Sequence, residues 1–326
     1  MHANTKGALI ALLSFALFST HDVVVKYLGA TYSTFQIVFF SVLLGFPVAT
    51  LMLMHDNRDA NLRPRRPYWV ALRTVSVMVT GVTGFFAVTT LPLAQFYAII
   101  FSMPLMITLL SIPLLGERVG LHRAGAVLAG LIGVIVVLRP GSEPLTAGHA
   151  SALVAAFTSA LSSVIVRKVG HEERSVVLLL YPMVANVFVM GAILPFVYVP
   201  LSGIDFAAQT VIAILAFAGT LCVIAAYKTG EAVIVAPMQY SQIIWATIYG
   251  MILFGESPDL PTVAGATIII ASGLYILMRE SRNRVDSNLP VLQNRTRHET
   301  GTFLRASGFL RRRPEREEDE ERNGDE

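Results

Sequence analysis

Long apolar runs constrain this chain more than any other feature of its sequence. Each run has about 20 mostly apolar residues, the length of an α-helix that crosses the hydrocarbon core of a bilayer. Ten runs fall at 7–28, 34–54, 69–90, 95–115, 121–138, 148–168, 175–196, 207–227, 232–254 and 261–278. Only 14% of the 326 residues are charged, whereas soluble domains carry roughly 25%. The sequence therefore predicts an all-α integral membrane protein with ten transmembrane helices.

The end of the chain has a different composition. Residues 279–326 hold 11 of the 25 Lys and Arg and 11 of the 22 Asp and Glu. A basic stretch at Arg311–Arg313 precedes the acidic stretch Glu315–Glu321, and few apolar residues are available to form a core. Such a composition predicts a disordered, charged tail at 279–326.

The two halves of the chain repeat one pattern. The matched positions recur at offsets of 139 to 141 residues: Leu114–Glu117 and Leu253–Glu256, Ser102 and Ser241, Lys26 and Arg167, Gly7 and Gly148. We therefore predict a first five-helix repeat at 1–140 and a second at 141–278. Membrane proteins built from two repeats usually place their binding site between them.

Loop charges predict the orientation of the helices. With the N-terminus inside, eleven Lys and Arg lie in the inner segments and only Lys26 and Arg139 lie in the outer ones. Because positive charge favours the cytoplasmic side, both termini are predicted to be cytoplasmic. Five spans per half then place Glu117 inside and Glu256 outside, so the two repeats are inverted relative to each other.

The sequence resembles the drug/metabolite transporter superfamily, specifically its EamA type. The resemblance covers residues 7–278, and it depends on Leu91–Ala94, Pro113–Glu117 and Val233–Glu256. It implies an inverted five-plus-five arrangement and secondary transport of a small organic metabolite. Members of the superfamily move amino acids, nucleotide-type cofactors, amines or vitamins.

The second span departs from many relatives. They have an arginine where this chain has Phe39–Ser41, which argues against an anionic substrate site. Phe18–Asp22 and Phe35–Ser41 look more like the branch that contains bacterial riboflavin transporters, and they are also similar to S-adenosylmethionine carriers. The resemblance thus favours riboflavin uptake, with S-adenosylmethionine, an amino acid or an amine as alternatives.

Polar groups at membrane depth are costly, so they usually face a cavity or a partner. The first span contains His21, Asp22 and Lys26, and the last two lie four residues apart on one helical face. Asp22 is a candidate for substrate binding. His21 and Lys26 are candidates for proton coupling or gating, although a structural histidine and a surface-directed lysine are open alternatives.

Two further spans contribute single polar candidates near the ends of helices. Gln36 lacks an obvious local partner, so it is a candidate for substrate binding. Arg73 lies one turn into the third span and either reaches the lipid headgroups or acts at an inner gate.

The fourth and ninth spans are the predicted walls of the site. Their prolines leave backbone carbonyls without donors, which is tolerated where a helix lines a cavity or packs on protein. The candidate substrate-binding residues on these spans and on the seventh are Tyr97, Ser102, Tyr240, Ser241, Gln242, Tyr181 and Asn186. Their aromatic rings suit a planar ligand.

The remaining patterns define what we do not expect. No sequence motif indicates a metal site, a cofactor, an ATPase or nucleic-acid binding. The fifth and tenth spans are rich in glycine, which is typical of a scaffold or a dimer surface. We expect a secondary transporter of the bacterial inner membrane, monomeric or homodimeric, whose partners are its substrate and membrane lipid. A receptor or scaffold and an intramembrane enzyme are the alternatives from other classes.

Overall fold

Every element of the structure is helical. The computed structural model describes residues 3–54, 63–117, 120–141, 144–170 and 172–282, so most of the predicted tail at 279–326 lies outside the described residues. The α-helices are α1 (Ala3–Gly29), α2 (Thr34–Met54), α3 (Pro67–Thr90), α4 (Leu93–Ile100), α5 (Met103–Leu115), α6 (Leu121–Leu138), α7 (Ala147–Val169), α8 (Ser175–Val197), α9 (Gly203–Thr229), α10 (Ala232–Val235), α11 (Ser241–Phe254) and α12 (Leu260–Arg282). A 3₁₀ segment, Ala236–Tyr240, connects α10 to α11.

Several helices are long and apolar enough to cross a membrane. Within the described residues six stretches meet this criterion, and one of them, Leu93–Leu115, includes both α4 and α5. Three shorter apolar helices lie at Thr34–Pro47, Ala124–Leu138 and Leu260–Ile276. The chain is therefore an all-helical, multi-pass membrane protein, and the count of ten crossings remains a prediction.

Two of the predicted spans are interrupted near their midpoints. The α4–α5 break falls at Phe101 and Ser102, and the 3₁₀ segment gives way to α11 at Ser241. Pro104 and Pro237 lie next to these breaks. A proline lacks the N–H that would bind the carbonyl four residues earlier, so the regular helix opens at these places.

Several of the helix contacts recur when the two halves are exchanged. Helix α1 packs on α9 and α11, while α7, its counterpart in the second half, packs on α3 and α5. The α2–α9 contact likewise corresponds to α8–α3. The pairs α2–α8 and α6–α12 each join a helix to its own counterpart, and α4–α11 joins the two interrupted spans.

Glycines allow the closest of these contacts. A Cβ atom built on Gly133 of α6 would lie 2.9 Å from the carbonyl oxygen of Gly265, and one on Gly265 of α12 would lie 2.6 Å from that of Gly133. Glycine-rich helices were expected to form a scaffold or a dimer surface. In the structure these glycines are used inside one chain, where they hold α6 against α12.

Contacts between helix ends define two ends of the bundle. At the Glu256 end, Lys26 pairs with Glu256, and Arg139 pairs with Asp259. At the Glu117 end, Arg167 pairs with Glu117, and Arg66 pairs with Glu172.

Candidate functional site

A buried carboxylate lies at the centre of the candidate site. Asp22 lies on α1, a helix that packs on α3, α9 and α11, and only 2% of the residue is exposed. Its Oδ1 lies 2.6 Å from Nδ1 of His21, and its Oδ2 accepts a hydrogen bond from the Tyr97 hydroxyl. Both carboxylate oxygens thus have a partner, as the burial of an ionisable group requires.

The two interrupted spans meet at this carboxylate. Tyr97 lies on α4 and is fully buried, and its hydroxyl oxygen is 3.4 Å from the donating Nε2 of Gln242 on α11. Sequence reasoning selected Asp22, Tyr97 and Gln242 separately. The structure brings all three into one hydrogen-bonded network that also includes His21.

Aromatic rings surround the network. Phe85 meets the His21 ring edge-on, with centroids 6.0 Å apart. On the other side, the Phe101 ring lies 5.8 Å from Tyr97 and 5.0 Å from Tyr240. The site therefore combines one buried carboxylate with aromatic walls.

Three serines on the helices that form the site have buried hydroxyl groups with no hydrogen-bond partner among the described residues. The Oγ atoms of Ser19, Ser102 and Ser241 make no hydrogen bond to the described residues. Ser102 and Ser241 occupy the matched breaks in the two interrupted spans. Buried polar atoms are nearly always hydrogen-bonded. A ligand or a water molecule would therefore supply the hydrogen-bond partners of these hydroxyl groups.

Gln36 has a backbone role that the sequence did not suggest. Its Nε2 donates to the Val199 carbonyl at 2.7 Å, and its Oε1 accepts from the Val199 N–H at 2.9 Å. The side chain therefore fixes the start of α2 to the segment after α8. Its predicted role in substrate binding is untested, and we do not include it in the network.

The two candidates on α8 have different surroundings. Tyr181 is 38% exposed, whereas Asn186 is buried. Asn186 donates from Nδ2 to the Pro182 carbonyl at 3.0 Å, and its Oδ1 has no recorded partner among the described residues. Their roles in binding remain predictions.

Of the three candidates for gating or coupling, His21 belongs to the network, and Lys26 and Arg73 are bound to backbone carbonyls. Lys26 donates to the Leu91 carbonyl, and its Nζ lies 2.5 Å from Oε1 of Glu256. Lys26 thus pairs with the second half and not with Asp22, which lies four residues away on the same helix. Arg73 is buried and donates to the Leu178 carbonyl.

Sequence reasoning missed the role of the repeated glutamates. Glu117 and Glu256 marked the repeat but were not proposed as functional residues. Glu117 forms an ion pair with Arg167, and Glu256 forms one with Lys26. Each glutamate therefore binds a basic side chain from the other half of the chain. The signal was present in the matched offsets of the four residues.

The charge of the site favours a cationic ligand. Asp22 is the carboxylate of the network, and a cation placed beside aromatic rings gains further from their quadrupoles. Among the described residues there is no cluster of three or more His, Cys, Asp or Glu that could hold a metal ion.

Comparison with known proteins places the chain among transporters. It is 26% identical over 274 residues to an S-adenosylmethionine uptake transporter of Rickettsia felis, covering 83% of this chain and 92% of the relative. A pseudopaline exporter of Pseudomonas aeruginosa is 25% identical, with 82% and 94% covered. A riboflavin transporter of Rhizobium johnstonii is also 25% identical, with 85% and 92% covered.

A solved structure and a family model also match this chain. One solved protein structure is similar with a TM-score of 0.57 at 18% identity, over 86% of this chain and 99% of that one. The model of the EamA-like transporter family matches residues 5–139 and again residues 146–278, and the chain therefore belongs to the EamA-like transporter family.

Proposed function

We propose that this protein is a secondary transporter that takes up a small organic cation with an aromatic ring, and that S-adenosylmethionine is its substrate. The observation that carries the proposal is the buried Asp22 carboxylate, which lies beside aromatic rings where the two interrupted spans meet. A sulfonium or ammonium group would be the counter-ion of Asp22, and the purine would stack on the rings.

The proposed mechanism is alternating access. Ten crossings in two inverted five-helix repeats, 1–140 and 141–278, would allow each half to adopt the conformation of the other. The helix contacts that recur between the two halves support this arrangement. So does the family model, which matches the chain twice.

The choice of substrate depends on charge. S-adenosylmethionine carries a permanent positive charge, and four of the relatives are named as its uptake transporters. Riboflavin, which the sequence favoured, would also stack on the rings, but as a neutral molecule it would gain nothing from the negative charge of Asp22. Riboflavin, an amino acid and an amine are the alternative substrates.

The cellular setting that we propose is the bacterial inner membrane, with both termini in the cytoplasm. The excess of Lys and Arg in the inner loops supports this orientation. We further propose that the protein performs no chemistry on its substrate, in contrast to an intramembrane enzyme, and that it moves the substrate rather than only sensing it.

Uptake into proteoliposomes tests the proposal. Radiolabelled S-adenosylmethionine should accumulate saturably and be recovered unchanged, and the Asp22→Asn variant should lose at least about 90% of the rate, since a buried charged contact contributes roughly 1.5–3 kcal/mol. Asp205→Asn is the matched control, because Asp205 lies at the start of α9 and binds Ser202 and Tyr32. Saturable uptake of riboflavin in place of S-adenosylmethionine would contradict the assigned substrate, and chemical conversion would support an enzyme.

A further inference from the structure

At the Glu256 end, a contact joins α1, the residue pair that follows α11 and the α3–α4 turn. Lys26 and Glu256 form an ion pair, and the two side chains are 10% and 20% exposed. Lys26 also donates to the carbonyl of Leu91, and Oε2 of Glu256 accepts from the Leu93 N–H at 2.9 Å. We call this set, Lys26 and Glu256 with the turn Leu91–Leu93, the Glu256 clamp.

The Glu117 end contains the same pair without the same contact to a turn. Arg167 binds Glu117 through Nη2, and the side chains are 20% and 23% exposed. Nη1 of Arg167 is buried and has no hydrogen-bond partner among the described residues. Lys26, the residue that matches Arg167, donates to the Leu91 carbonyl, whereas Arg167 has no such contact to a turn among the described residues.

The missing partner follows from the repeat. Leu91 ends α3 and Gly230 ends α9, and the two caps have nearly the same backbone angles, φ −101° and ψ 156° against φ −118° and ψ 159°. Their surroundings also match: a Cβ on Gly148 would touch Leu91, and a Cβ on Gly7 would touch Gly230. The α9–α10 turn, Gly230–Ala232, is therefore the counterpart of the turn Leu91–Leu93.

We propose that Glu256 and Glu117, with Lys26 and Arg167, are the alternating gate residues of transport. The Glu256 clamp closes one end in the state seen here. In the opposite state Arg167 and Glu117 bind the turn Gly230–Ala232, with Arg167 donating to the Gly230 carbonyl and Glu117 accepting from the Ala232 N–H. This inference depends on the alternating access proposed above but not on the identity of the substrate.

The two clamps oppose each other energetically. Both ion pairs are formed here, but the hydrogen bonds of each clamp to its turn belong to one state only, and a contact made in one state alone shifts the equilibrium towards that state. Breaking the Glu256 clamp favours opening of the Glu256 end. Replacing Arg167 or Glu117 removes the contact to the turn Gly230–Ala232, which stabilises the state with an open Glu256 end. Such a replacement therefore favours the state in which the Glu256 end is closed.

Cysteine labelling of full-length protein in proteoliposomes tests the assignment. In a Cys222→Ala background, Ala94→Cys places a buried thiol in the first turn of α4, beside the Glu256 clamp. Glu256→Gln and Lys26→Met should each raise its labelling rate by a membrane-impermeant maleimide about fivefold or more. Arg167→Met and Glu117→Gln should each lower that rate by a similar factor.

A second reporter and a control complete the experiment. Val235→Cys, a buried position close to the α9–α10 turn, should respond in the opposite direction when the reagent is added to the Glu117 end. Glu172→Gln breaks an exposed ion pair at that same end and should change neither rate. Changes of the same sign in all four clamp variants, or no change in well-folded variants, would overturn the assignment. Because labelling needs no substrate, this test gives a result even if the assigned substrate is wrong.

Discussion

The hydroxyl group of Tyr97 joins three helices at the centre of the molecule. It donates to Asp22 on α1 and accepts from Gln242 on α11, while its own ring is fully buried on α4. A phenylalanine at this position keeps the packing and removes only the hydroxyl. The consequences for Asp22 and Gln242 can therefore be separated from a loss of structure.

We predict that Tyr97→Phe lowers transport more than it lowers stability. Each buried partner left without a hydrogen bond costs roughly 1–3 kcal/mol, so the uptake rate should fall about tenfold or more at a subsaturating substrate concentration. Initial-rate uptake and thermal unfolding of the purified protein measure the two effects. Tyr198→Phe is the matched control, since Tyr198 is half exposed at the end of α8. Equal uptake by both variants would remove Tyr97 from the site.

At the scale of residues, the sequence identified polar groups more easily than their partners. Asp22, Tyr97 and Gln242 could be selected because a polar group at membrane depth needs a partner. The pairing of Lys26 could not be derived in this way, because spacing on one helix favours Asp22 four residues away. The partner found in the structure, Glu256, is 230 residues away in the chain, and only the three-dimensional packing brings it close.

Helices α6 and α12 form a close contact between the two halves that depends on glycine. A Cβ on Gly265 would lie 2.5 Å from Cγ2 of Val137 and 2.6 Å from the Gly133 carbonyl oxygen. Since one of these atoms belongs to the backbone, the helices must separate to accept even a methyl group. The contact is thus limited by the main chain and not by an adjustable side chain.

We predict that Gly265→Ala destabilises the protein by roughly 1–3 kcal/mol, the usual cost of overpacking. Thermal unfolding in detergent should show a lower melting temperature than in the parent protein. Gly125→Ala on α6 provides the control, because a Cβ there has no neighbour within 4 Å, and alanine is a better helix former than glycine. A melting temperature for Gly265→Ala at or above that of Gly125→Ala would contradict the contact.

The helical elements were predictable from sequence to different degrees. The run 34–54 matches α2, and 175–196 ends one residue before α8 does. The run 232–254 instead contains α10, the 3₁₀ segment and α11. Hydropathy cannot show such a break, because an apolar 3₁₀ turn and an apolar α-helical turn have the same composition. Only the prolines indicated that backbone carbonyls would be left free there.

For the molecule as a whole, the family resemblance seen in the sequence is confirmed by the matches at 5–139 and 146–278. The equivalence of the two halves extends from sequence to geometry. Gly116 and Gly255, which precede the repeated glutamates, both adopt a left-handed conformation, with φ values of 70° and 65°. A pair of turns with one geometry places Glu117 and Glu256 in equivalent positions at opposite ends of the bundle.

The orientation of the ten proposed crossings determines which side of the membrane each end of the bundle faces. If the repeats are inverted and the termini are cytoplasmic, the Glu256 end faces outward and the Glu117 end faces the cytoplasm. Single cysteines in the Cys222→Ala background test this in intact cells with a membrane-impermeant maleimide. Leu145→Cys and Ser257→Cys, exposed at the Glu256 end, should react directly. Glu172→Cys and Glu231→Cys, at the Glu117 end, should react only after the cells are permeabilised.

The two halves supply the internal control of this experiment. Leu145 lies after the fifth proposed crossing and Glu172 after the sixth, while Glu231 and Ser257 flank the ninth. If the N-terminus were outside instead, all four positions would exchange their behaviour together. If the repeats were parallel, Leu145 and Ser257 would differ. Only an inverted arrangement with cytoplasmic termini gives outward labelling at Leu145 and Ser257 and protection at Glu172 and Glu231, because each additional crossing reverses the side that a loop faces.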